Sequence, residues 1–222
     1  MGTDDLFKRK KQSALRSSKR RIELRESYDK VLIVTEGEKT EPLYLSAVCD
    51  FFGLNQANIE IDPKSDSSPT SVVKYAKTLI NKNKIDPYDH VYCVIDRDTH
   101  QDFQQALNQV ASFKNKDTKL HIILSVPCFE YWIILHFIYT TKPFGVSGDS
   151  PCQELIDNEL KQYIPNYEKG NITMLTDLVQ SQIDVAIANA KRAYNEAIKR
   201  ETENPKTEIH ILVEYLKNLK NY

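Results

Sequence analysis

Glu36, Asp96 and Asp98 are the residues whose types and spacing first point to chemistry. Glu36 follows the apolar run Val31-Leu32-Ile33-Val34-Thr35, and the two aspartates follow Val91-Tyr92-Cys93-Val94-Ile95. Alternate side chains of an extended strand share a face, so Asp96 and Asp98 point the same way and Arg97 the other. Carboxylates crowded at one sheet edge repel one another unless a cation or protons intervene, and hard divalent ions take oxygen ligands. Mg2+ is therefore the expected cofactor, with Mn2+ as its substitute. Phosphoryl-transfer chemistry at such a centre uses a metal to neutralise non-bridging oxygens and a separate group to handle the proton of water or of the leaving oxygen. Asp96 and Asp98 are the candidates for the metal, and Glu36 for the proton.

Four further residues join these in the sequence pattern. Gly37 allows a tight turn whose amides can approach a phosphate, and Lys39 adds a positive charge just beyond it. Lys39 fits a solvated loop lysine as well. His100, two residues past Asp98, suits phosphate contact or a proton shuttle, and equally a helix cap. Glu130 lies among Phe129, Tyr131 and Trp132, where a carboxylate is costly to bury unless paired. It fits a fourth acidic member of the centre and, just as well, a structural ion pair.

The elements that must position these groups follow from periodicity and punctuation. Strands are expected over 31–35, 57–62, 90–96 and 120–126, with intervening helices from Glu41 to about Phe51, from about Val72 to Ile80 and over about 101–114. Pro127 is expected to open a helix, CFEYWIILHFIY, apolar nearly all round and hence buried. Beyond residue 141 only helical patterns appear, over about 152–163, 173–200 and 207–219. Strands alternating with helices predict a parallel sheet with right-handed crossovers. The fold class is thus α/β: a mostly parallel four-stranded sheet flanked by helices, with a C-terminal helical appendage. The expected division is a basic arm over 1–28, an α/β domain over 29–140 and a helical extension over 141–222 packed on it.

Lysine and arginine total 30 against 31 acidic residues, so the chain as a whole is no polycation. Its first 28 residues nevertheless carry Lys8, Arg9, Lys10, Lys11, Arg16, Lys19, Arg20, Arg21 and Arg25. Such clustering is the footprint expected of a phosphate-backbone contact, and also of a simply solvated terminus. Arg9, Lys10, Lys11, Arg16, Arg20 and Arg21 are the nucleic-acid candidates. Cys49, Cys93, Cys128 and Cys152 lie far apart without a C-x-x-C pair, and read as reduced thiols of a cytoplasmic protein. The longest apolar run, Tyr131 to Tyr139, is too short to span a bilayer, so no membrane association is expected.

Glu36 after one strand and Asp96-Arg97-Asp98 after a later one resemble the Toprim pattern of topoisomerases, primases and overcoming-lysogenization-defect nucleases. VTEGEKTEPLY, DRDTH and SVPCFEYWIILHF are similar to the RloB-like family, with weaker echoes at Asn204, Pro205, Thr207 and His210. That resemblance implies a Toprim-like, Rossmann-like fold and a magnesium-dependent nuclease centre. It also implies a setting in phage defence or restriction, beside a partner ATPase of the AAA or ABC type. Strand-gating and template-binding modules have no room in 222 residues, so nuclease is the expected Toprim subclass. The substrate would be DNA or RNA, with tRNA among the RNA candidates. A non-catalytic regulatory or nucleic-acid-binding subunit is the alternative, and phosphatase or nucleotidyl-transfer chemistry on small phosphates a third.

Overall fold

The computed structural model describes residues 27–63, 68–97, 102–145 and 150–221. The basic-arm candidates Arg9, Lys10, Lys11, Arg16, Arg20 and Arg21, together with Asp98 and His100, lie outside the described residues.

The elements follow in the order β1 (Val31–Thr35), α1 (Thr40–Phe51), β2 (Ile59–Pro63), α2 (Pro69–Lys82), β3 (His90–Asp96), α3 (Phe103–Ala111) and β4 (Lys119–Val126). Then come α4 (Glu130–Ile134), α5 (Pro151–Leu155), a π-helical turn (Ile156–Leu160), α6 (Lys161–Tyr163), α7 (Ile172–Lys199), β5 (Lys206–Thr207) and α8 (Ile209–Asn218). The strands form one sheet in the order β2-β1-β3-β4-β5. The first four run parallel, and β5 lies antiparallel on β4 through Ser125–Thr207 and Val126–Lys206 pairing.

Period-2 alternation in the central strands sorts side chains into two cores. Val31, Ile33, Tyr92, Val94 and Ile123 enter one, with α1, α4, α7 and α8; Leu32, Val34, Val91, Cys93, Ile95 and Leu124 enter the other, with α2 and α3. The helices that close each core start where the local chemistry allows. Ser68 caps α2 by accepting from the Ser71 amide, with Pro69 in the first turn, and Asn171 caps α7 by accepting from the Met174 amide at 3.1 Å.

Several expectations need correction. The sheet has five strands, and the C-terminal part, expected to be helical throughout, supplies β5 before α8 begins at Ile209. Pro127 does not open a helix: the Val126–Pro127 peptide is cis, and α4 starts at Glu130. That helix ends at Ile134, and the Leu135 carbonyl instead accepts from Asn189 Nδ2 of α7 at 2.9 Å. Burial of the segment is as expected, with Glu130 to Ile134 all inside. Cys128 and Cys152 form a disulfide with Cα atoms 5.7 Å apart, against the expectation of four reduced thiols. Spacing could not reveal this pair, because the chain must travel 24 residues before α5 returns over the β4–α4 turn. Cys49 and Cys93 are free and buried, and burial pushes both thiols up to about 12.

Candidate acidic centre at the sheet switch point

β1 and β3 are neighbours, yet the chain leaves β1 outward to β2 and crosses back to β3. The carboxyl ends of these two strands therefore bound a crevice, the position at which open α/β sheets bind ligands. Glu36 and Asp96 occupy those ends. The Glu36 amide donates to the Val94 carbonyl at 3.0 Å, which extends the β1–β3 ladder by one residue. In return the Asp96 amide donates to Glu36 Oε2 at 3.2 Å. Arg97 turns the other way, pairing with Glu203 and lying over the Phe103 ring at 5.3 Å, as strand alternation requires.

Glu130 comes from the next strand's end and is almost wholly buried, at 1% exposure. Its Oε1 accepts from the Tyr167 hydroxyl at 3.1 Å and pairs with the Lys169 ammonium at 3.1 Å. Glu130 thus has a structural ion-pair partner and acts electrostatically on Glu41 and Asp96.

A fourth carboxylate, Glu41, escaped the sequence reading because a glutamate in the first turn of a helix is explained by the macrodipole alone. Here it is buried and folded back over Gly37. A Cβ on residue 37 would lie 2.0 Å from Glu41 Oε2, so glycine here leaves the space that this side chain occupies. Burial, with Glu130 and Glu36 as like-charged neighbours, pushes Glu41 up to about 7, against its own backbone hydrogen bond and Lys169. Asp96 is held well above the ordinary carboxylate range, first by burial, then by Glu41, Glu130 and Glu36, against a backbone hydrogen bond from Phe129.

Lys169 was also missed. It sits in the turn before α7, where no periodicity marks it. Burial acts to lower its pKa, but Glu130, Glu41 and Asp96 outweigh that and raise it. Lys39 is exposed at the N-cap of α1, and its Cβ backs onto Gly170, whose φ of +82° already demands glycine. A Cβ there would meet Lys39 Cβ at 2.9 Å.

The donor chemistry fits a hard divalent cation: carboxylates from the ends of β1 and β3 and from the first turns of α1 and α4, with Glu41 and Asp96 pushed above the ordinary carboxylate range by burial and by their acidic neighbours. Among the described residues, however, no three of these carboxylates bring oxygens within 4.8 Å of one another; the one group that meets that distance is Cys128, Glu130 and Cys152. No helix is long and apolar enough to cross a membrane among the described residues. No curated protein and no solved structure matches the chain. The family model described as RloB-like protein matches residues 31–216, a span that holds Glu36, Glu41, Asp96, Glu130 and Lys169, and the chain belongs to the RloB-like family.

Proposed function

We propose that this chain is a metal-dependent nuclease of the Toprim type, cleaving nucleic-acid phosphodiesters as the effector of a phage-defence or restriction-linked system with a partner ATPase. The observation that carries the reading is the meeting of Glu36 and Asp96 at the β1/β3 switch point, where the Asp96 amide donates to the Glu36 carboxylate and the Asp96 carboxyl is held above its ordinary range by burial and by Glu41, Glu130 and Glu36. Asp96 and Asp98 would hold Mg2+ or Mn2+, which when bound supplies charge neutralisation at the phosphate and a more acidic water. Glu36 is the general acid/base. Glu41, poised near neutrality, holds a proton next to it and limits the negative charge of the crevice. Lys169 supplies the cationic side, and Lys39 stands at the rim where a phosphate would enter. The residues Arg9 to Arg21 would track the polymer backbone.

The test is direct. Purified chain is incubated with plasmid, single-stranded DNA and tRNA in Mg2+, Mn2+ or EDTA, alone and with a candidate partner ATPase. Cleavage that needs the metal and is lost in Glu36→Gln and Asp96→Asn supports the reading; cleavage that survives both substitutions refutes it. A non-catalytic regulatory subunit is the second reading. It is favoured by the Lys169 ammonium, which already neutralises part of the acidic centre. Defence that persists when Glu36, Asp96 and Asp98 are all replaced would select it.

A further inference from the structure

Cys128, Glu130 and Cys152 place two sulfurs and a carboxylate oxygen within 4.8 Å of one another. All three are buried or nearly so, at 2%, 1% and 9% exposure. We propose that the reduced chain binds Zn2+ between Cys128, Cys152 and Glu130, and that the disulfide is the oxidised, metal-free state of the same site.

The division of labour on Glu130 carries the argument. Its Oε1 is fixed by Tyr167 and Lys169, both at 3.1 Å, while Oε2 is turned to Cys152 Sγ at 3.6 Å. Tetrahedral zinc, with Zn–S of about 2.3 Å and Zn–O of about 2.0 Å, separates a sulfur and an oxygen ligand by about 3.5 Å. Oε2 therefore already stands at the ligand spacing, and Oε1 has the kind of outer hydrogen bonds that orient a ligating carboxylate. Charge balances as well. Two thiolates and one carboxylate exceed Zn2+ by one negative charge, and Lys169 provides the compensating positive one. With three protein ligands, the fourth position falls to water. Thiolate ligands favour zinc over magnesium, which distinguishes this site from the oxygen-only crevice at Glu36 and Asp96.

The redox step balances with a dithiol as reductant. Its two thiols become a disulfide as the Cys128–Cys152 bond breaks, and the two electrons and two protons appear as two cysteine thiols. Zinc binding then releases those two protons. Because Cys128 sits on the β4–α4 turn and Cys152 on α5, either closed state, disulfide or zinc, ties α5 to the strand end that carries Glu130.

The full chain is reduced with a water-soluble phosphine, which takes up the oxygen of a water molecule, stripped with EDTA and titrated with Zn2+ against a chromophoric chelator. Alkylation of each cysteine is followed in parallel by peptide mass. The expected result is one zinc per reduced chain and none in the oxidised chain, with alkylation of Cys128 and Cys152 slowed about tenfold or more by zinc. Cys128→Ser and Cys152→Ser should each abolish uptake, and Glu130→Gln should weaken it by about 10–100-fold. The proposal is overturned if the reduced chain takes up no zinc, if zinc leaves the Cys128 and Cys152 alkylation rates unchanged, or if the double serine variant binds as the wild type does. Zinc lost only in Glu36→Gln and Asp96→Asn would overturn it too, by locating the ion in the oxygen crevice. The alkylation readout uses the unaltered chain, so it stands even where a serine variant fails to fold, and it is independent of nuclease activity.

Discussion

Two buried titratable groups should shape the pH dependence of stability in opposite directions. Glu41 is raised from 4.5 to about 7, so the folded chain binds more protons than the unfolded one over that window. Its contribution is present below 4.5 and lost as pH rises to 7, by about 3 kcal/mol for this displacement. His136 has the reverse sign. Its Nδ1 lies 3.1 Å from the Trp132 carbonyl and 3.2 Å from that of Ile133, which makes Nδ1 the donor and leaves Nε2 to accept from the Tyr44 hydroxyl at 3.0 Å. Burial lowers this histidine from 6.5 to about 4, so the unfolded chain takes up the proton first. Its contribution is present above 6.5 and lost as pH falls to 4, again by about 3 kcal/mol. The two slopes oppose each other between about 4.5 and 6.5. Glu41→Gln removes one of them. Denaturant titrations from pH 4 to 8 should then show a variant more stable than wild type at pH 8, with the difference shrinking toward pH 4. Parallel curves for the two proteins would contradict the Glu41 assignment.

Gly37 gives a second expectation at the same scale. An alanine Cβ there would lie 2.0 Å from Glu41 Oε2, so the Glu41 side chain must swing away, at a cost toward the lower end of the about 1–3 kcal/mol that crowding exacts. Gly37→Ala combined with Glu41→Ala should recover most of that loss in a double-mutant cycle, since the clash partner is gone. Glu36 and Asp96 were legible in the sequence because each ends a fully apolar strand, where a carboxylate has no packing role. Glu41 was not, since the macrodipole gave it a sufficient local explanation; only the fold of its side chain over Gly37 reveals the buried charge.

Among the elements, legibility followed length. β1, β3 and β4 announce themselves as apolar runs, and α7, at 28 residues, as a sustained helical pattern. β5 has two residues, Lys206 and Thr207, too few to show a period of two. Its place is fixed by long-range pairing instead: the Glu208 amide donates to the Leu124 carbonyl at 2.8 Å, and Glu208 Oε2 accepts from the Leu124 amide at 3.1 Å. The buried Ser125 and Thr207 hydroxyls meet at 3.1 Å. Replacing Thr207 by valine keeps the shape and strands the Ser125 hydroxyl, which should destabilise the chain by about 1–3 kcal/mol. Ser125→Ala added to it should restore part of the loss, as both polar partners are then absent. Chemical denaturation of the two variants decides the matter; equal stability of Thr207→Val and wild type would show that this pair does not anchor β5. The turn bearing Tyr167 and Lys169 was illegible for a related reason. Nothing local marks it, and it reaches Glu130 only because α7 docks against α1 and the first sheet face.

At the scale of the whole molecule, the question is whether the C-terminal helices are a separable extension or part of the unit that holds the acidic centre. Val31, Ile33 and Val94 of the sheet share one continuous apolar core with Leu175, Val179 and Ile183 of α7 and with Leu212, Val213 and Leu216 of α8. Leu212, Val213, Leu216 and Leu219 are all fully buried, at 0% exposure. Each such side chain contributes about 1.5–3 kcal/mol by its removal from water, so the four together reach about 6–12 kcal/mol. That is the size of the entire net stability of an ordinary domain, about 5–15 kcal/mol. A chain ended at Pro205 would also lose β5 and expose the β4 edge. It should therefore fail to fold rather than leave an intact α/β sheet, giving no cooperative transition and rapid proteolysis across residues 31–126. The intact chain should unfold in a single transition reported alike by far-UV circular dichroism and by Trp132 fluorescence, because that tryptophan lies in the shared core. Two separated transitions would show that the α/β part stands alone, and a folded 1–205 fragment that keeps its sheet signal would show that the sheet does not need β5 and α8.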